Sequence, residues 1–242
     1  MRPLLVTSLG TMSYAAALDV QRAAAAARID GTLRDDLLLL VEHPPVVTTG
    51  RSTKEGHVLL SADALAARGV ALFDVDRGGD VTFHGPGQLV GYPIVDLQRH
   101  TADLHWYLRQ LEAALIRALA SFDITAERNP GLTGVWTSGR KIASIGVHAR
   151  QWVTWHGFAL NVTTDLSYFD MLVPCGIADV TMTSVEQEIL RRAPENGACL
   201  APSPALNDEA RDAVVNGMAA TFGWVPQAHA LDSLRALISS GS

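Results

Sequence analysis

A chain of 242 residues, 48% of them hydrophobic and 18% charged, can bury a sizeable core, which excludes disorder as its main state. A net charge of -6 excludes a generally basic nucleic-acid-binding surface. The two cysteines, Cys175 and Cys199, exclude a disulfide framework or a Cys-rich zinc site.

Residues 4–9 read as a short strand. Ser13 is placed to cap an Ala-rich helix running to about Asp30, with Gly31 ending it. The apolar runs 36–42 and 46–49, separated by Pro44-Pro45, have strand length. Ser61 caps a short helix to Arg68, Gly69 stops it, and residues 70–75 form a further strand. The glycine-rich stretch 76–91 is expected to be turns between strands, and residues 89–97 return to a strand. Leu104, Leu108, Leu111, Leu115, Ile116 and Leu119 recur at helical spacing and predict an amphipathic helix over 102–122. Strands are expected at 134–137, 141–149 and 152–162, with Gly139-Arg140 turning the first into the second. Residues 192–204 read as a Pro-rich surface loop and 207–222 as a helix. Strands outnumber helices in the middle and are joined by short turns. That predicts an α+β fold with a mixed, largely antiparallel sheet flanked by helices.

No run of about 18 uncharged apolar residues predicts a membrane span. The opening MRPLLVTSLG is too short an apolar stretch for a signal peptide, with Asp19, Gln21 and Arg22 close behind. A cytoplasmic protein with no membrane and no nucleic-acid partner is therefore expected.

Few residues stand out chemically. Cys175 lies in Val173-Pro174-Cys175-Gly176-Ile177, a turn sequence in which backbone N–H groups can face a bound group. Alone, the segment suits a small buried hydrophobe as well as a nucleophile. Lys141 opens an apolar strand and is one of two lysines, with Lys54. At such a position it is either a solvated charge or an amine turned into a pocket. The densest segment is Arg77-Gly78-Gly79-Asp80-Val81-Thr82-Phe83-His84-Gly85-Pro86-Gly87-Gln88. It lacks the spacing of a phosphate loop and of a dinucleotide fingerprint. His84 is open as a base, an orienting group or a turn hydrogen-bonder. His43, His148 and His156 say less, and no histidine pair has a helical metal-ligand spacing, so no metal and no cofactor is expected.

Taken together, Glu42-His43-Pro44-Pro45, the segment from Arg77 to Gln88, Lys141-Ile142-Ala143-Ser144-Ile145-Gly146 and Pro174-Cys175-Gly176-Ile177 resemble the lipoyl(octanoyl) transferase family in order and spacing. The likeness spans about residues 1–225, taken as one catalytic domain, with 226–242 as a C-terminal tail. Phe83 stands where the family commonly has Tyr. The resemblance implies the biotin/lipoate protein ligase fold, which is class II synthetase-like. It implies transfer of an octanoyl group from acyl carrier protein to a specific lysine. The acceptors it implies are the lipoyl domains of 2-oxoacid dehydrogenase E2 subunits and the glycine cleavage H protein. It casts Cys175 as the acyl-carrying nucleophile and Lys141 as its proton-handling partner. Arg77, Gly78, Gly79, Asp80, Val81, Thr82, Phe83 and His84 would bind the acyl group. So would Ser144, Ile145 and Gly146, with Gly157, Phe158 and Ala159, the small residues leaving room for an extended chain. A free thiol, with a pKa of about 8.5, is only ~3% thiolate at neutral pH, so a nearby ammonium would favour attack. A carrier thioester is already activated, so no ATP is needed. The alternatives are an ATP-dependent lipoate or biotin protein ligase on the same fold, a cysteine hydrolase, and a catalytically silent acyl-binding module.

Overall fold

The computed structural model describes residues 2–173, 180–192 and 205–239. Its main sheet has eight strands. They are β1 (Arg2–Thr11), β2 (Asp36–Glu42), β6 (Gln88–Ile94), β7 (Glu127–Asn129), β8 (Leu132–Thr137), β9 (Arg140–Arg150), β10 (Val153–Asn161) and β11 (Trp224–Ala228). The spatial order is β11-β1-β2-β6-β10-β9-β8-β7. β1 runs parallel to both β11 and β2, and the remaining pairings are antiparallel. A second sheet has the order β4-β3-β5, from β3 (Val46–Thr49), β4 (Ala71–Asp74) and β5 (Thr82–His84). The expected α+β class with a mixed, largely antiparallel sheet is what the chain forms.

The run Asp36-Leu37-Leu38-Leu39-Leu40-Val41 explains why the large sheet is covered on both faces. Side chains alternate across a strand. Leu38 and Leu40 pack into one core with α3 (Leu104–Ala120) and α5 (Leu206–Phe222). Leu37, Leu39 and Val41 pack into another with α1 (Tyr14–Asp30) and α6 (Leu231–Ser239). A third core, under the small sheet, joins Val47, Leu65, Val81 and Phe83 to Phe169 and Met171. Leu65 comes from α2 (Ala62–Ala67). Side-chain caps set helix starts where the sequence placed them, at Ser13 for α1 and Ser61 for α2.

Several elements differ from the sequence reading. The turn-rich stretch 76–91 contains β5, and β7 and α4 (Val185–Arg191) were not foreseen. The reversal between β8 and β9 lies at Ser138 and Gly139, both with positive φ (46° and 77°), one residue earlier than expected. Residues after 225 are not a tail. β11 pairs with β1 from Arg2↔Trp224 to Val6↔Ala228, and Leu234 of α6 is fully buried. The physical reason is that β1 would otherwise present an open sheet edge and α1 an uncovered apolar face. The loop expected at 192–204 lies outside the described residues, apart from Arg192. Among the described residues no helix is long and apolar enough to cross a membrane.

Candidate active site

A cavity of about 230 Å³ opens between the two sheets. The antiparallel pairing of β10 with both β9 and β6 brings distant parts of the sequence to one wall. Of the residues singled out from sequence, Arg77, Gly79, Asp80, Val81, Thr82 and His84 line the cavity. Lys141, Ser144, Ile145 and Gly146 of β9 line it too, with Gly157, Phe158 and Ala159 of β10. Gly78 and Phe83 do not. Gly78 donates its N–H to the Val147 carbonyl at 2.9 Å. Phe83 faces the other way, because β5 alternates. Its ring stacks on Tyr168 at 4.5 Å in the third core, a contact that does not use the hydroxyl a tyrosine would bring. Cys175 and Cys199 lie outside the described residues.

Gly157 lines the cavity and also lies close against β6. A Cβ there would stand 2.2 Å from the Gly91 carbonyl oxygen and 2.6 Å from Pro93 Cδ. Glycine at this position is thus also required by the packing of β10 against β6.

The charged residues of the glycine-rich segment organise the wall. Arg77 is buried and donates to the Thr48 carbonyl at 2.8 Å and to Thr48 Oγ1 at 2.9 Å. Asp80 accepts from the Val81 N–H at 2.6 Å and pairs with His57 Nδ1 at 2.7 Å. Both hold the loop that forms the rim.

The floor is made of aromatic rings and imidazoles, several of which sequence reasoning missed. Tyr14 of α1, Val90 and Tyr92 of β6, and His156 of β10 all line it. Val90 and Tyr92 share a face of their strand, which alternation could have signalled. Tyr14 and His156 meet only through the fold. Ser52 and Gly131, Leu132 and Thr133 complete the rim.

Hydrogen bonds fix how these groups carry their protons. Gln88 uses its Nε2 to donate to the Phe83 carbonyl (3.1 Å) and Asn161 Oδ1 (3.0 Å). Its Oε1 therefore accepts from His84 Nδ1 at 2.8 Å, leaving His84 Nε2 as the ring's acceptor. Tyr14 Oη lies 3.4 Å from His156 Nδ1, and His156 Nε2 donates to Asp76 Oδ1 at 2.9 Å. His43, just beneath, bonds the Met12 carbonyl and the Tyr92 hydroxyl, both at 2.7 Å. Burial pushes the three imidazoles down, His84 to about 3 and His43 and His156 to about 4. Burial also pushes the Tyr14 phenol up to about 12. The imidazoles and phenol of the floor are therefore uncharged at neutral pH.

Lys141 is 2% exposed, in contrast to an ordinary surface lysine. Its Nζ stands 5.5 Å from the centre of the Trp136 ring. Its backbone N–H donates to the Thr181 carbonyl at 2.8 Å, and its carbonyl accepts from Thr183 at 2.9 Å. On the other flank, Val173 donates to the His57 carbonyl at 2.8 Å. The described residues on either side of the Cys175 segment are thus fastened to Lys141 of the wall and to His57, the partner of Asp80. Among the described residues no cluster of His, Cys, Asp and Glu is placed to hold a metal ion.

Comparisons with known proteins agree with one another. Residues 13–196 match the family model for the lipoyl protein ligase A/B catalytic domain. A protein of Solibacter usitatus named octanoyltransferase is 54% identical over 177 residues, covering 73% of this chain and 80% of that one. One of Acidobacterium capsulatum, of the same name, is 46% identical over 230 residues, covering 90% and 87%. Among solved structures, that of a bi-partite lipoate protein ligase and its E2 lipoyl domain from Thermoplasma acidophilum matches with a TM-score of 0.74. It covers 99% of this chain and 92% of that one at 17% identity, a likeness of fold.

Proposed function

Because the chain belongs to the lipoyl protein ligase A/B catalytic family and is an octanoyltransferase within it, we propose that it moves octanoyl from acyl carrier protein to a lipoyl-domain lysine through a thioester on Cys175. In the first half, the Cys175 thiolate attacks the carbonyl carbon of the carrier thioester. The carrier's sulfur leaves and takes a proton from the Lys141 ammonium. In the second half, the acceptor lysine's amine attacks the Cys175 thioester. An amide forms, the Cys175 sulfur leaves, and Lys141 receives the proton shed by the attacking nitrogen. The exchange of one thioester for another is nearly even in free energy, and amide formation drives the second step. The acceptors are lipoyl domains of 2-oxoacid dehydrogenase E2 subunits and the glycine cleavage H protein.

The observation that carries this reading is the buried Lys141 on the wall of a cavity whose floor imidazoles and phenol are uncharged. His84, pushed down to about 3, is a poor proton acceptor at neutral pH and suits the floor better than the base role.

The test is to incubate the protein with octanoyl-carrier protein, omit the acceptor and ATP, and map any added mass by peptide. An octanoyl adduct on Cys175, chased onto a lipoyl domain when one is added, is the expected result. Turnover with no adduct, or with label elsewhere, would remove Cys175 from the mechanism. A strict ATP requirement would move the reading to the ligase alternative.

A further inference from the structure

Gly134 of β8 has a φ of 134°, a conformation that side chains rarely adopt. A Cβ there would stand 2.8 Å from Lys141 Cε, 3.4 Å from Lys141 Nζ and 2.7 Å from the Ala143 carbonyl oxygen. The lysine side chain therefore rests across the bare backbone of Gly134. Two residues on, Trp136 presents its ring to the same amine.

Gly134 is itself held from behind. Its N–H donates to Glu112 Oε1 at 3.2 Å. Glu112 lies on α3 and is fully buried. Its other oxygen accepts from Arg109 Nη1 at 2.6 Å and Arg128 Nε at 3.0 Å. Arg128, from β7, also donates to the Arg109 carbonyl at 2.8 Å. The carboxylate is thus gripped from both α3 and β7, and through it the β8 backbone is tied to α3.

We propose that Glu112 is a positioning residue for Lys141, acting through the Gly134 N–H, and that the bare Cα of Gly134 sets how deep the lysine amine stands in the site. The proposal rests on the reading of Lys141 as the proton-handling partner of Cys175. Proton transfer between sulfur and nitrogen is sensitive to misplacement on the scale of an ångström, so a seat of this kind has a function beyond stability.

The two roles of Glu112 can be separated. Glu112→Gln keeps an acceptor for Gly134 and loses the charge that Arg109 and Arg128 use. Glu112→Asp keeps the charge and withdraws the oxygen from Gly134. For each variant, and for Lys141→Ala as reference, two quantities are measured. One is the pH profile of Cys175 alkylation, read by peptide mass. The other is steady-state transfer, split into kcat and donor KM. The urea midpoint is recorded in parallel. Gly134→Ala is expected to move the alkylation profile toward that of Lys141→Ala. Its kcat should fall about 10- to 100-fold with KM changed less than about twofold. Glu112→Asp, which keeps the carboxylate charge, should shift the profile in the same direction. Glu112→Gln should keep the native profile while lowering the urea midpoint. If Lys141→Ala moves the profile and neither Gly134→Ala nor Glu112→Asp does, the seat is wrong. It is equally wrong if the profile follows the urea midpoint across the series. If Lys141→Ala itself leaves the profile unmoved, it is the acid–base reading of Lys141 that falls.

Discussion

His43, His84 and His156 are kept neutral by burial, and that has a measurable consequence for stability. Each has a folded pKa of about 3 or 4 against an ordinary value of 6.5. Above about pH 6.5 all three are neutral in the folded and unfolded chain, and their contribution is fully present. Between about pH 6.5 and 4 the unfolded chain binds protons that the native one refuses, so stability falls with pH. Each histidine adds a slope of up to about 1.4 kcal/mol per pH unit in that window. The urea midpoint should therefore drop steadily from about pH 7 to 5, and His84→Gln should flatten the curve. A midpoint flat across that range would mean that these rings are hydrated and protonate freely. These residues also mark the limit of what single positions reveal. Order and spacing singled out Lys141 and the segment from Arg77 to His84, all of which line the cavity except Gly78 and Phe83. Tyr14 and His156 could not be singled out, since α1 and β10 meet only after the sheet has formed.

Elements were legible where a long apolar pattern specified them. The leucines of α3 and the run 36–42 of β2 are such cases. β5 and β7 were hidden because three residues carry no period, and β5 also sits among glycines that read as turns. β11 was hidden by Pro226, which argues against a strand unless the strand lies at an edge, where β11 in fact is. The packing of α3 on α5 depends on an absence that sequence also conceals. A Cβ at Gly217 would stand 2.3 Å from the Ala114 carbonyl oxygen and 3.3 Å from the Ala118 backbone nitrogen. Gly217→Ala should gain up to about 1 kcal/mol of helix propensity. It should lose more, about 1 to 3 kcal/mol, because backbone atoms cannot step aside as a side-chain tip can. A net fall in the urea midpoint is expected, and Gly217→Ser should be no better. An unchanged or raised midpoint in Gly217→Ala would show that the two helices have slack between them.

At the scale of the molecule, β1 is flanked by a short edge strand that contains a proline. β11 covers the edge of β1, and the His229 N–H continues the ladder to the Val6 carbonyl at 2.9 Å. Trp224 stacks on Phe222 at 4.2 Å and meets His100 edge-on at 5.5 Å, so the strand is anchored in the core as well as in the ladder. Beyond it, α6 lays Leu234 into the core under α1. None of these residues lines the cavity. Stability and chemistry can therefore be separated by truncation. Ending the chain after Ala230 removes α6 alone and should cost at least about 2 kcal/mol, the burial of Leu234. Ending it after Gly223 also uncovers Trp224's pocket and leaves β1 as an open edge, a template for pairing with another chain. That shorter form should lose several kcal/mol more and associate as its concentration rises. Transfer activity per folded monomer should stay near native in the longer truncation. The checks are urea titration, size-exclusion chromatography over a concentration series, and octanoyl transfer normalised to the folded fraction. A form ending at Gly223 that stayed monomeric with a native urea midpoint would mean that β11 and α6 merely lie against the fold. Loss of transfer in the fully folded form ending at Ala230 would instead tie α6, through α1 and Tyr14, to the shape of the cavity.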